Sequence, residues 1–327
     1  MPRAIRGVLL VLLPVVVFFA LGEVVLRIYL TQRIFYDVEM SRYAQLLKIE
    51  SPNPRIGHVH RPGGQAHLMG VDVAINAMGL RDDEPRADPA ELRRMVFLGD
   101  SLTFGWGVEQ EETFAHLIEG ALEEERPTEV LNFGTGNYNT TQEVELFREK
   151  GLAYRPEQVV VFYFINDAEP VPRKSRWSFL ANFRIVTFYW SRLKQLGARW
   201  FPGRTFREYY AALYEDDQPG WVETRAAFLR LAEICRQKGI DLKVVLLPEL
   251  HRLDVYPFER EYRRVADFLR ENDIAVLDVT PAFADVTDPH TLWVAPDDAH
   301  PNAAAHRRIA EASLDFVRDG GPGDQEP

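Results

Sequence analysis

The sequence predicts an α/β protein, a three-layer α/β/α sandwich around a five-stranded parallel sheet, preceded by an N-terminal transmembrane helix. Three observations carry this. Five apolar runs, at 95–98, 130–133, 159–165, 242–247 and 274–279, have the length and residue types of buried strands. Between them lie helical stripes at i, i+3, i+4 and i+7: Phe114, Leu117, Ile118 and Ala121; Phe228, Leu231, Ala232 and Cys235; Tyr262, Val265, Ala266 and Leu269. Strands alternating with such helices imply a parallel sheet with right-handed crossovers and helices on both faces. The third observation is the start of the chain, where Arg3 and Arg6 precede an uncharged apolar run from Gly7 to Gly22.

That run is slightly short for a bilayer. It continues as Val24-Val25-Leu26 and Ile28-Tyr29-Leu30 around Glu23 and Arg27, which stand four apart and can pair on a helix. With the Arg27 stem reaching to the interface, the usable span becomes roughly 20 residues or more. Residues 1–30 are therefore expected to anchor the chain in a membrane, N-terminus inside and the remainder extracytoplasmic, or periplasmic in a Gram-negative cell. A cleaved signal peptide is the competing expectation, since Ala20-Leu21-Gly22 offers small residues for processing. Both readings export the rest of the chain.

Residues 31–92 read as an extracytoplasmic connector punctuated by Pro52, Pro54, Gly57, Pro62, Gly63 and Gly64. Val71, Val73 and Ile75 alternate as a half-buried strand does, and Asn76 to Gly79 reads as the turn that closes it. His58, His60 and His67 lack an accompanying Cys or tight carboxylate pattern, so they are expected to be solvated loop residues rather than metal ligands.

Residues 93–327 carry the strand–helix alternation. Gly239 stands where a helix before the 242–247 strand would be capped. The alternation is interrupted at 168–220 by a basic, aromatic insert holding Trp177, Trp190 and Trp200. Phe183, Val186, Trp190, Leu193 and Trp200 follow a helical stripe there, among Arg184, Arg192, Lys194 and Arg199. Such a pattern suits a membrane surface, but the reading preferred is a helix packed over the sheet with a solvated basic face. The polar segment from Arg318 to Pro327 is expected to fray.

Composition bounds the function. At 327 residues, 46% hydrophobic and 27% charged, the chain has enough material for one large folded domain with smaller attachments. A net charge of −11 argues against nucleic acid as a general partner. The balance is uneven, because Arg173 to Arg207 holds nine Lys/Arg and no Asp or Glu. With Cys235 alone there is no intrachain disulfide framework and no Cys-based zinc site.

The chemistry centres on Met95 to Trp106, where an apolar run ends abruptly in Gly99-Asp100-Ser101-Leu102. In an open α/β sheet, that turn lies at the carboxyl end of a strand, where ligands bind. A serine hydroxyl is a weak nucleophile and needs a base within hydrogen-bond reach. The best candidate is His300, just before a last helix striped by Ala305, Ile309, Ala312 and Phe316. Asp297 stands three residues earlier, about one turn, placed to orient the imidazole; Asp298 is the runner-up. Acyl transfer also needs donors for an oxyanion. Asn166, at the end of the 159–165 run, offers an amide, and the turn at 132–138 offers backbone N–H groups.

Together these elements resemble the SGNH hydrolases, or GDSL esterases/lipases, along roughly Arg93 to Val317. The blocks are Gly99-Asp100-Ser101-Leu102, Asn132-x-Gly134-x-x-Asn137, Asn166-Asp167 and Asp297-x-x-His300. The resemblance implies a flavodoxin-like parallel sheet and a serine esterase acting on an acyl ester of a carbohydrate or lipid, without cofactor or metal. It makes Ser101 the nucleophile, His300 the base and Asp297 its orienter. The oxyanion hole would comprise the N–H groups of Ser101 and Asn137 and the Asn166 amide. Two positions depart from the family pattern: Asn137 stands where it has glycine, and the glycine usual before Asn166 is missing. The lead-in Asn76-Ala77-Met78-Gly79-Leu80-Arg81 is similar to that of membrane-anchored bacterial members. Two other activities share this pattern, an O-acyltransferase on a cell-envelope polysaccharide and a non-catalytic binding module.

Overall fold

A computed structural model of the protein describes residues 3–30, 35–86, 92–171 and 205–318. Most of the basic aromatic insert, including Trp177, Trp190 and Trp200, lies outside the described residues, as does the C-terminal tail from 319.

The chain divides into two compact units: Met1–Gln45 with Arg173–Gly203, and Leu46–Pro172 with Arg204–Pro327. In the first, helix α1 (Arg3–Leu30) forms where the apolar run predicts one, and α2 (Tyr36–Leu47) follows, running just into the second unit. Among the described residues no helix is long and apolar enough to cross a membrane.

The second unit begins with two hairpins, more than the single strand expected there. Strands β1 (Lys48–Glu50) and β2 (His58–His60) pair antiparallel, and so do β3 (Gln65–Leu68) and β4 (Val71–Ala74). Val73 and Ile75 are buried as their alternation requires, and the turn closes with the Gly79 N–H on the Asn76 carbonyl. Ile56 and Leu80 join the main core, which is why this stretch is ordered with the sheet. Two of the three histidines differ from the solvated residues expected. His67 is exposed beside Asp72, but His60 is buried and His58 half-buried, both against backbone carbonyls.

The central sheet follows: β5 (Arg93–Gly99), β6 (Thr128–Asn132), β7 (Gln158–Tyr163), β8 (Asp241–Leu246) and β9 (Ala275–Asp278). Its order is β6-β5-β7-β8-β9 and every pairing is parallel. Successive side chains point to opposite faces, and the core splits accordingly. Met95, Phe97, Val160, Phe162 and Val245 meet α4 (Phe114–Glu123) and, near the chain end, α9 (Ala303–Arg318). Val96, Leu98, Val159, Val161, Val244 and Leu246 meet α5 (Thr140–Glu149), α7 (Pro219–Lys238) and α8 (Glu259–Glu271). Each large side chain so enclosed contributes roughly 1.5–3 kcal/mol, enough to make these stripes decide the layers. Gly239 caps α7 at φ +67°, as predicted. The short helix α6 (Phe206–Leu213) precedes α7.

A further pairing has no counterpart in the hydrophobic pattern. Strands β10 (Trp293–Ala295) and β11 (Asp298–Pro301) form an antiparallel hairpin immediately before α9. Because β5 has β6 on one side and β7 on the other, the order in which strands are added reverses at β5. Ligand sites of open α/β sheets form at the carboxyl ends beside such a reversal.

Candidate active site

Strand β5 ends at Gly99, where only glycine fits, since a Cβ there would lie 2.0 Å from Thr103 Oγ1. The backbone turns at Asp100, whose carboxylate accepts the Leu102 N–H at 2.8 Å and caps the short helix α3 (Ser101–Phe104). Gly105, at φ +80°, ends that helix after one turn. Ser101 is thereby presented at the sheet's carboxyl edge.

The loop after β6 is fastened to the same turn. Asn132 donates to the Thr103 carbonyl at 2.9 Å and accepts the Gly134 N–H at 2.9 Å. A Cβ on Gly134 would fall 2.2 Å from Phe104 N, so the second motif block is a packing requirement before it is anything else. Behind the turn, buried Arg81 donates to the carbonyls of Phe104, Gly105 and Val108. This gives the Asn76–Arg81 lead-in a physical role.

Ser101 Oγ lies 2.8 Å from His300 Nε2, although 199 residues separate them. The carboxylate on the other ring nitrogen is Asp298, with Oδ1 2.5 Å from Nδ1; it is not Asp297, which is exposed. The correction has a simple cause. Helical spacing pairs Asp297 with His300, but Asp298–Pro301 is extended, and side chains on a strand share a face at i and i+2. Asp298 is held on both sides: its Oδ1 also accepts the His300 N–H at 3.1 Å and its Oδ2 the Trp106 indole N–H at 2.9 Å. Burial pushes this carboxyl up, but the bonds from His300 and Trp106 and the His300 charge together hold it below its ordinary range. A carboxylate on Nδ1 leaves Nε2 as the acceptor toward Ser101. Trp106 closes the Met95–Trp106 block, but nothing in its position in the sequence betrays this contact.

Asn166 stands on a single turn after β7 and donates through Nδ2 to Asp100 Oδ2 at 3.0 Å. The carboxylate accepts only, so the amide nitrogen faces the Ser101 turn. Asn137 adopts φ +66°, the left-handed conformation that glycine favours and asparagine tolerates. Its Oδ1 is drawn aside to Lys48 Nζ at 2.8 Å. Neither the Ser101 nor the Asn137 N–H finds an acceptor among the described residues. Ser101, His300 and Asn166 are thus brought together, with Asp298 in the place expected of Asp297.

Beneath the site lie three buried acids, Asp100, Glu143 and Asp167. Burial, reinforced for Glu143 and Asp167 by their acidic neighbours, raises all three, most strongly Glu143 and Asp167. Asp167 also accepts the Phe164 N–H at 3.0 Å, fixing the turn that bears Asn166. Hydroxyl, imidazole and carboxylate in line, beside the unused Ser101 N–H and the Asn166 amide, form an arrangement able to attack a carbonyl and stabilise the resulting oxyanion.

Residues 97–308 match the GDSL-like Lipase/Acylhydrolase family. No curated protein matches. Several solved structures are similar to the chain. A catalytic mutant of Axe2, an acetylxylan esterase from Geobacillus stearothermophilus, is 19% identical, with 70% of this chain and 94% of that one covered and a TM-score of 0.46. TesA is 16% identical, with 69% and 98% covered and a TM-score of 0.44. A two-domain esterase, CEX, active on acetylated mannans, is 16% identical, with 72% and 52% covered and a TM-score of 0.46. With the family match spanning most of the chain, the protein belongs to the GDSL-like lipase/acylhydrolase family and is an ester-hydrolysing enzyme.

Proposed function

We propose that the protein is an exported, membrane-anchored serine esterase that removes acyl groups from a carbohydrate or lipid-type substrate. The observation that carries the reading is the line Ser101 Oγ, His300 Nε2, His300 Nδ1, Asp298 Oδ1, with contacts of 2.8 and 2.5 Å. In this reading Ser101 attacks the ester carbonyl as His300 takes its proton. Asp298 holds the imidazole in the competent tautomer and stabilises the imidazolium. The oxyanion is received by the N–H groups of Ser101 and Asn137 and by the Asn166 amide. His300 then gives its proton to the leaving alcohol. Water enters, loses a proton to His300 and attacks the acyl-enzyme; the acyl–Oγ bond breaks as His300 returns that proton to Ser101 Oγ, and the acid leaves.

The anchor is proposed from Arg3 and Arg6 ahead of the apolar run of α1 and from its exposed apolar side chains, Leu12, Leu13, Val16, Phe18 and Leu21 among them. External protease applied to spheroplasts should then digest most of the chain; protection would count against export. The activity is tested with the full chain in detergent on p-nitrophenyl esters of graded length, with and without oligosaccharide acceptors. Ester cleavage with release of free acid supports hydrolysis. Acyl product appearing only on the acceptor would replace it with transfer, and inertness under both conditions would refute the enzyme reading.

A further inference from the structure

The second motif block carries an unexplained set of contacts from the upstream hairpin. Lys48, on β1, donates from Nζ to the Gly136 carbonyl at 2.7 Å, and His58, on β2, reaches the same oxygen through Nε2 at 3.1 Å. Two donors on one carbonyl, drawn from two strands 88 and 78 residues upstream, are more than a loop needs for order. The hairpin is also pinned to that loop by the Tyr138 hydroxyl on the His58 carbonyl and by the His58 and Tyr138 rings, 5.0 Å apart.

The Gly136 carbonyl and the Asn137 N–H belong to one peptide group. No cis peptide bond occurs among the described residues, so that group is planar and trans, with its C=O and N–H pointing in opposite directions. Donors held against the oxygen therefore set the direction of the N–H on the far side. They also polarise it, because hydrogen bonds in series strengthen one another and a charged donor does so most.

We propose that Lys48 and His58 are positioning residues of the oxyanion hole, gripping the Gly136 carbonyl so that the Asn137 N–H is aimed and polarised toward the substrate oxyanion. The inference rests on the esterase reading above and adds to it the part played by the upstream hairpin. Burial supports the roles: it lowers His58 to about 3, with the Lys48 charge adding to the effect, so His58 donates as a neutral imidazole near neutrality. Lys48, lowered by burial to about 7, retains a substantial ammonium fraction there. The second Lys48 bond, to Asn137 Oδ1, keeps that side chain off the pocket and lets asparagine occupy a left-handed position. A preorganised donor of this kind acts on the transition state more than on bound substrate, so its loss should appear in kcat.

The test compares wild type with Lys48→Met, Lys48→Arg, His58→Phe and the double variant Lys48→Met/Asn137→Gly, using p-nitrophenyl acetate and thermal melting. Lys48→Met should lower kcat by about 10- to 100-fold with KM changed less than about 3-fold, since it weakens one donor of a hole in which a whole donor accounts for roughly 100- to 1000-fold. His58→Phe should act in the same direction, and Lys48→Arg, which keeps a charged donor, should recover most of the loss. Adding Asn137→Gly should not restore Lys48→Met, because the carbonyl is still ungripped. An active wild type with unchanged kcat in Lys48→Met and His58→Phe overturns the inference and leaves the esterase reading standing. Full restoration by Asn137→Gly also overturns it, reducing Lys48 to a support for the Asn137 side chain. A wild type that neither cleaves the ester nor labels with a serine-directed phosphonate removes the esterase reading itself, and the inference with it. If Lys48→Met fails to melt cooperatively, Lys48→Arg and His58→Phe carry the same comparison.

Discussion

Replacing Asp298 by Asn tests which carboxylate orients His300, and the structure sets the size of the effect. Asp298 receives three donors: the His300 Nδ1 and backbone N–H on Oδ1, and the Trp106 indole N–H on Oδ2. An asparagine has one acceptor oxygen to serve both sides. If its NH2 group faces Trp106, two donors collide there. If it faces His300, it collides with the backbone N–H and makes Nδ1 the acceptor, which puts the imidazole proton on Nε2. That nitrogen could then no longer take the Ser101 proton. Triad carboxylates replaced in this way lose on the order of 10,000-fold in kcat through the wrong tautomer. The first orientation keeps the competent tautomer at the cost of a donor clash, so a loss of about 100- to 10,000-fold brackets the two. At 1.36 kcal/mol per tenfold, this is about 3–5.5 kcal/mol of barrier. Asp297→Asn, at an exposed position, should stay within about 3-fold of wild type. Initial rates on p-nitrophenyl acetate, with melting curves to confirm folding, decide the matter. Equal losses in the two variants, or a larger loss at Asp297, would refute the strand-based assignment.

Two further predictions concern groups around the triad. Asn166→Ala should lower kcat by about 100- to 1000-fold and leave Ser101 still able to react slowly with a phosphonate, as expected for one oxyanion donor; a loss under about 5-fold would remove Asn166 from the hole. Glu143→Gln should flatten the decline of stability with pH. Both Glu143 oxygens lack a hydrogen-bond partner among the described residues, and burial raises its carboxyl well above the ordinary 4.5. A raised pKa means that the folded state holds a proton the unfolded state has released, so stability falls as pH rises from about 4.5 toward the folded value. The variant carries no titrating group there. Its melting temperature should gain on wild type as pH rises above about 5, and parallel curves would contradict a Glu143 carboxyl raised by burial.

Local pattern makes much of this legible. The five strands and the stripes of α4, α7 and α8 follow from hydrophobic periodicity, because a sheet covered on both faces leaves few other ways to bury Val159–Val161 or Val265 and Leu269. Ser101, His300, Asn166 and the loop bearing Asn137 are legible too, since each ends a strand or precedes a helix at one edge of the sheet. Asp298 ranks second in the sequence because Trp293–Pro301 is too short and too polar to announce a hairpin. Without the hairpin, the i, i+3 spacing of Asp297 outweighs the i, i+2 spacing of Asp298. The contacts of Trp106, Arg81, Lys48 and His58 are not legible at all. They are long-range pairings with backbone carbonyls or a distant carboxylate, and a carbonyl acceptor leaves no residue type to read. The buried acids are likewise hidden, for Glu143 sits in a helix whose polar composition suggests exposure, whereas Thr140 to Phe147 are all buried.

Ser101 acting as the nucleophile, activated by His300, is the claim on which the rest depends. Its most direct measurement is the site of covalent attachment of a fluorophosphonate probe, read by peptide mass spectrometry on the full-length protein and on Ser101→Ala and His300→Ala. A single adduct is predicted on the peptide containing Ser101, absent from Ser101→Ala and slowed at least about 100-fold in His300→Ala. An adduct on another residue, or attachment to Ser101 at an undiminished rate without His300, would contradict it.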